Sequence, residues 1–166
     1  MMLKQPDIPN DIFVAEGAII KGDCVIGEKC SVWYHAVIRG DFANITIKDM
    51  VNIQDHAVVH CSEGYPVSIG QGVTIGHGAI VHGCTIGDNT MIGMKAVIMD
   101  GARVGKNCII GAGTIVTQNV IIPDNSLVIG SPAKVIRNVT ESEINSNKWN
   151  AEIYYKTSLE YKENNN

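Results

Sequence analysis

Residues 84–113 read CTIGDN TMIGMK AVIMDG ARVGKN CIIGAG. In these five consecutive hexads the third residue is always Ile or Val, and the first is always small or β-branched (Cys84, Thr90, Ala96, Ala102, Cys108). The spacing extends forward through Val116, Ile122 and Val128. It extends backward through Ile69, Ile75 and Val81, then Ile47, Ile53 and Val59, then Ile20, Ile26, Val32 and Ile38. Three breaks interrupt it. The first lies between Ile38 and Ile47, just after Arg39-Gly40-Asp41; the second adds four residues between Val59 and Ile69; the third removes one between Val81 and Ile86. A period of six fits neither the 3.6 of a helix nor a meander, and self-similarity at a fixed period means a stacked repeat.

The geometry that satisfies it is a prism. Each hexad supplies one short strand and a corner, and three hexads supply a coil of about eighteen residues. Large aliphatics and their small partners alternate inward and fill a narrow core at close to crystalline density. Gly follows the aliphatic at 27, 70, 76, 87, 93, 105 and 111, which suits corners that need unusual φ/ψ values. The pattern resembles the hexapeptide-repeat proteins, and that resemblance implies an all-β fold: a left-handed parallel β-helix, here with a C-terminal α-helix. The left-handed winding departs from the usual crossover rule and rests on the resemblance alone.

With 166 residues the chain suits one domain. Aromatics at 5% are few for a globule but fit a thin core of Val, Ile and Ala. A net charge of −4 without a basic run argues against a nucleic-acid partner. No apolar stretch approaches membrane-spanning length, and Met1–Asn10 lacks the blocks of a signal peptide, so a cytoplasmic location is expected. Of five cysteines, Cys24, Cys30, Cys84 and Cys108 fall at the small inward position and read as core filler, while Cys61 is off register and reads as a loop residue.

Residues 1–12 read as a polar lead-in, 13–137 as the β-helix domain, and 138–166 as a C-terminal helix and tail. Ile129-Gly130-Ser131-Pro132-Ala133-Lys134 ends the prism, since its Gly and Pro disfavour another regular strand. Thr140 with Glu143 forms a capping box that opens a helix over 140–161. Ile144, Ala151, Tyr155 and Leu159 lie near one face of it, ready to cover the prism or a neighbour. Glu163-Asn164-Asn165-Asn166 reads as a frayed end.

Chemistry concentrates in the histidines. His60 follows Val59 and His82 follows Val81; on the hexad count they stand one full coil apart, stacked on one face at about 4.8 Å. Imidazoles so placed can converge on one metal with bonds of about 2.0–2.1 Å. His77 stands two after Ile75, on a different face, so a site using all three needs His77 from a neighbouring subunit. A three-faced prism then suggests a trimer with three interfacial sites. The count also sets Gln54 and Asp55 one coil from Gly76 and His77, so Gln54 arrives beside His77 as a neutral donor and acceptor. His35 and His56 share no such position and read as surface or interface residues. Arg39 and Asp41 read as an intersubunit or intercoil salt bridge.

Ser31-Val32-Trp33-Tyr34-His35-Ala36-Val37-Ile38-Arg39-Gly40-Asp41 resembles the γ-class carbonic anhydrases. So do Asn52-Ile53-Gln54-Asp55, Val59-His60, Ile75-Gly76-His77 and Val81-His82-Gly83. The similarity spans about residues 10–137. It implies metal-dependent reversible hydration of CO₂ to bicarbonate by a metal-bound hydroxide at the interfaces of a homotrimer. His60, His77 and His82 are implied as ligands of a divalent metal, Zn(II) or alternatively Fe(II) or Co(II). Gln54 is implied to hydrogen-bond the reacting groups, with Asn52 supporting it. Arg39 and Asp41 are implied to hold the interface, Arg39 also lying near bicarbonate. One departure stands out: well-characterised members carry a proton-transfer acid directly after the Asp of Arg-x-Asp, where this chain has Phe42, and another in a longer acidic loop. Glu63 is the one acid of the short 61–66 loop, either a proton relay or an ordinary loop residue. Two other readings fit the repeat. One is a metal-stabilised trimeric scaffold with little catalysis; the other is an acyl-CoA-dependent acyltransferase with one histidine as general base.

Overall fold

The computed structural model describes residues 4–164, which form a left-handed parallel β-helix closed along one side by a single helix. Strands mostly two or three residues long stack in parallel with their counterparts one coil away. Three faces result. One carries Phe13–Val14, Ser31–Val32, Asn52–Ile53, Thr74–Ile75, Met91–Ile92, Ile109–Ile110 and Ser126–Ile129. The long strands Ile19–Ile26 and Val37–Ile47 turn the corner between the other two. Their first halves continue through Val58–His60, Ile80–His82, Val97–Ile98 and Ile115–Val116. Their second halves continue through Val67–Ile69, Thr85–Ile86, Arg103–Val104 and Ile121–Ile122.

Alternation within each strand decides what faces in. Ile38, Val59, Val81, Ile98 and Val116 are completely enclosed, and each such side chain contributes up to about 1.5–3 kcal/mol of burial. The three breaks fall where the spacing puts them. Pairing jumps from Gly22↔Gly40 to Cys24↔Ile45, leaving three extra residues in the Val37–Ile47 strand. Cys61–Pro66 loops out between Val58–His60 and Val67–Ile69, and one residue is missing between Ile80–His82 and Thr85–Ile86.

The glycines after the aliphatics serve a purpose other than the expected one. Gly93 is not in the left-handed region; a Cβ there would lie 2.6 Å from the Ile110 carbonyl oxygen of the next coil, so close stacking demands it. The left-handed residues instead close each hexad: Asn89, Lys95, Gly101, Asn107 and Gly113 all have positive φ. His35 and His56 occupy such corners at φ 59° and stack ring on ring at 5.3 Å, which accounts for both without chemistry.

Cys24, Cys30, Cys84 and Cys108 are buried as core filler, and Cys61 joins them at 0% exposure. It is a loop residue as expected, yet a buried one. The residues added at the first break arch over it, and its thiol bonds the backbone of Ala43, receiving from the N–H at 3.2 Å and donating to the C=O at 3.1 Å. Burial pushes the Cys30 and Cys84 thiols up to about 12 and Cys24 to about 11. Since the thiolate is the reactive form, a disulfide reagent at pH 8 should label essentially none of the thiols in the native protein and all five after denaturation. Rapid native labelling of one thiol would contradict this packing.

Beyond the last coil the chain reverses. Gly130 at φ 104° turns it, and Lys134–Asn138 runs back antiparallel on Ser126–Ile129, a strand the sequence did not suggest. The capping box forms: Glu143 N–H donates to Thr140 Oγ1 at 3.2 Å, and the Thr140 N–H donates to Glu143 Oε2 at 2.8 Å. The helix runs Glu141–Asn164, slightly longer than expected. Its covered face overlaps the expected one in part, Ala151 being buried and Ile144 and Tyr155 half-buried. Asn147, Ala151 and Ser158 are buried, whereas Leu159 is exposed. Polar docking sets that rotation. Asn147 Nδ2 donates to the Asn89 and Cys108 carbonyls at 3.0 and 3.2 Å, and Asn150 Nδ2 to Thr74 Oγ1 at 2.9 Å. Tyr154 and Tyr161 then stack edgewise on Trp33. At about 1.5 Å per residue the helix is long enough to climb the whole face, and Lys162 reaches the Asp11 carbonyl near the chain's start. Part of the lead-in also joins the prism, Asp7 bridging to Val25. Met1–Leu3 of that lead-in and Asn165–Asn166 of the expected frayed end lie outside the described residues. No helix among the described residues is long and apolar enough to cross a membrane.

Candidate metal centre

His60 and His82 are register partners at the ends of adjacent parallel strands. Their rings lie 5.0 Å apart, with His60 Nδ1 and His82 Nε2 facing each other at 3.0 Å. The far side of each ring is held by a carboxylate: Asp41 Oδ1 stands 2.9 Å from His60 Nε2, and Asp100 Oδ1 stands 2.5 Å from His82 Nδ1. Ionised carboxylates only accept hydrogen bonds, so each far nitrogen carries the proton of a neutral ring. The two facing nitrogens then both present lone pairs, a repulsive arrangement unless a cation, a proton or a metal, lies between them. Two nitrogens bound tetrahedrally at about 2.0–2.1 Å stand about 3.3 Å apart, close to the observed separation. A carboxylate on the outer nitrogen of a ligating histidine is also the usual support of a metal site. The donor set therefore fits a divalent metal.

Asp41 is shared. Its other oxygen, Oδ2, pairs with Arg39 Nη1 in the same strand, so Asp41 links Arg39 to its neighbour one coil on, His60. Against burial, which pushes it up, the His60 hydrogen bond and the Arg39 charge hold the Asp41 carboxyl below its ordinary value. Phe42, 63% exposed, sets its ring edge-on to His60 at 5.9 Å. Asp41, His60 and Cys61 offer ligand atoms within 4.8 Å of one another. The Cys61 thiol is nonetheless enclosed and bonded to backbone, while His60 turns its other nitrogen away toward His82. The histidine pair is the better centre.

His77 lies just beyond Thr74–Ile75, on the face that the helix covers. Its Nδ1 stands 2.8 Å from Asp55 Oδ2, leaving Nε2 without a partner among the described residues. Gln54, His77, Met91, Met94 and Tyr154 line a cleft of about 380 Å³ between this face and the helix. Gln54 is 5% exposed and donates through Nε2 to Asn52 Oδ1 at 3.1 Å; Asn52 Nδ2 donates in turn to Thr74 Oγ1 at 2.8 Å. One chain thus carries two separate clusters. His60, His82, Arg39 and Asp41 come together on one face, and His77, Gln54 and Asn52 on another. Glu63 joins neither; it sits exposed in the turn bridged by Ser62 and Tyr65, and its carboxylate makes no ion pair among the described residues.

Two acids acquire roles that sequence reasoning did not give them. Asp55 was placed beside His77 by the count without a task, and the structure makes it the partner of His77 Nδ1. Asp100 was missed altogether. It stands eighteen residues after His82, but the register pairs Val81 with Ile98 and so sets His82 beside Met99, and the hexad count does not point to it.

The model of the bacterial transferase hexapeptide (six repeats) matches residues 66–98 and 83–118. The chain is 57% identical over 91% of its length to a Methanocaldococcus jannaschii protein named "Probable carbonic anhydrase", 95% of which is covered. It is 38% identical over 85% of its length to "Gamma carbonic anhydrase 2, mitochondrial" of Arabidopsis thaliana, spanning 53% of that protein. A Bacillus cereus crystal structure carrying an acetyltransferase name superposes with a TM-score of 0.94 at 40% identity, covering 96% of this chain and 93% of that one.

Proposed function

The chain belongs to the γ-class carbonic anhydrase family of hexapeptide-repeat proteins, and on that premise we propose that it catalyses the reversible hydration of CO₂ at a divalent metal held between subunits of a homotrimer. The observation that carries this reading is the pair of ring nitrogens on His60 and His82 that face each other 3.0 Å apart, each ring backed by a carboxylate. His60 and His82 of one subunit and His77 of the next would hold the ion. When bound, the metal supplies Lewis acidity and a nucleophile at neutral pH.

The surface around the half-sites supports assembly. On the histidine face the outward residues of successive coils are Ile19, Val37, Val58, Ile80, Val97 and Ile115, an aliphatic ladder running beside Arg39, His60 and His82. The corresponding column on the next face is Val25, Thr46, Ser68, Thr85, Arg103 and Ile121, with polar residues through its middle. A patterned apolar strip marks an interaction surface, and on the His77 face Met94, 55% exposed beside the cleft, joins the outward column Met91, Ile109 and Leu127. Closing one face on the other joins the two half-sites and excludes water from the cleft. Gln54, its amide fixed by Asn52, then presents one donor and one acceptor to orient a small carboxyl-like substrate. Arg39 offers a cation for bicarbonate, and the Asp41 bond fixes its guanidinium. Glu63 carries no step.

The transferase names among solved relatives keep acyl transfer as the second reading. A general base needs a free nitrogen, and of His60, His77 and His82 only His77 has one among the described residues, Nε2; both nitrogens of His60 and of His82 are engaged. Stopped-flow CO₂ hydration tests the proposal, with protein purified without oxygen and loaded with Zn(II), Fe(II) or Co(II). Hydration above buffer, abolished by a chelator, is expected. No hydration under any of the three metals would defeat it and favour the scaffold; acetyl-CoA turnover by metal-free protein would favour transfer.

A further inference from the structure

The third register break has a structural consequence. Ile80 pairs with Val97 and Thr85 with Arg103, so the coil holding His82 is one residue shorter than the coil that follows. The surplus residue of the longer coil is Asp100. Its side chain occupies the space opened by the missing residue: a Cβ on Gly83 would come within 2.2 Å of Asp100 Oδ1. Backbone bonds fix the corner on both sides, from Gly83 N–H to the His60 carbonyl at 3.0 Å and from Gly101 N–H to the Gly83 carbonyl at 2.8 Å. From that seat Asp100 Oδ1 accepts from His82 Nδ1 at 2.5 Å, and Oδ2 accepts from Ser62 Oγ at 3.2 Å. The carboxylate is only 18% exposed.

We infer that Asp100, clamped by Ser62 and given room by Gly83, is a positioning residue that locks His82 in the tautomer presenting the Nε2 lone pair to the metal. The inference rests on the metal reading above. Without Asp100 the proton of a neutral His82 is free to sit on either nitrogen, and the ring is free to turn about its outer bond. Ser62 comes from the loop added at the second break, so two irregularities of the repeat meet at this one side chain.

The test uses full-length protein and Zn(II) alone. Zn(II) affinity is measured by competition with a chromophoric chelator for wild type, Asp100→Ala and Asp100→Asn, with thermal melts to verify folding. Long-range ¹H–¹⁵N spectra of the metal-free proteins report the His82 tautomer. Outer partners of ligating histidines are worth about 10–100-fold in metal affinity, so Asp100→Ala should weaken binding by that range. Asp100→Asn, which keeps the volume and an accepting oxygen, should weaken it less. His82 should show one Nδ1-protonated form in wild type and mixed signals in Asp100→Ala. Unchanged affinity and an unchanged His82 signal in the folded variants overturn the inference while leaving the metal centre standing. A wild-type protein that binds no Zn(II) overturns both.

Discussion

Replacing His82 with alanine should strip the protein of its metal and reduce CO₂ hydration by roughly a thousandfold or more. The Lewis acidity of the ion is worth several kcal/mol in the transition state, and each 1.36 kcal/mol is a factor of ten. The fold should survive. His82 ends a strand with its side chain outward and 31% exposed, and its strand is held by the enclosed Val81 instead. Truncation leaves Asp100 with Ser62 as its remaining side-chain partner, so the metal-free variant should melt slightly below metal-free wild type while staying folded. Metal content by elemental analysis, initial rates and a melting curve make the test, with His35→Ala as control because His35 only stacks on His56. Metal retained at the wild-type level in His82→Ala would remove the proposed centre.

Placing a lysine at Ile80 should have an effect of similar size without touching a ligand. Ile80 is 38% exposed at the middle of the aliphatic ladder, paired with Val58 and Val97 and two residues from His82. An uncompensated charge buried in an interface costs about 3–5 kcal/mol, which weakens association by roughly a hundred- to ten-thousandfold. Sedimentation should show monomers, and those monomers should lose their metal although His60, His77 and His82 are all present. The loss would follow because His77 lies on a different face from the other two and, in the proposed centre, meets them only across an interface. A lysine at Thr85, on the polar column, should leave both assembly and metal unchanged. A monomeric Ile80→Lys protein that binds metal as tightly as wild type would show that no interface is needed.

Most of the architecture was legible because the repeat is strict. Once Ile or Val recurs every six residues, register is fixed, and register alone stacks His60 on His82 and sets Gln54 and Asp55 beside Gly76 and His77. Readings that depended on local chemistry fared worse. The glycines after the aliphatics look like turn residues, yet close coil stacking requires them, and sequence does not distinguish a Cβ excluded by φ from one excluded by a neighbour. Apolar periodicity found Ala151 and the half-buried Ile144 and Tyr155 but missed the rotation that exposes Leu159, because docking uses Asn147 and Asn150, whose partners Asn89, Cys108 and Thr74 lie more than thirty residues away. Cys61 is in a loop, as its place off register implies, but its burial under the residues inserted at the first break was not legible.

The sequence by itself determined the prism, the positions of its three irregularities and the division of the histidines between two faces, since all three follow from counting along a chain of constant period. Only the tertiary structure decided what each histidine's second nitrogen does. Asp41, Asp55 and Asp100 reach their rings from neighbouring coils, and Asp100 does so only because a missing residue at Gly83 leaves it space. Hydrogen bonds depend on direction and on distances of a few tenths of an ångström, which no spacing rule along the chain carries.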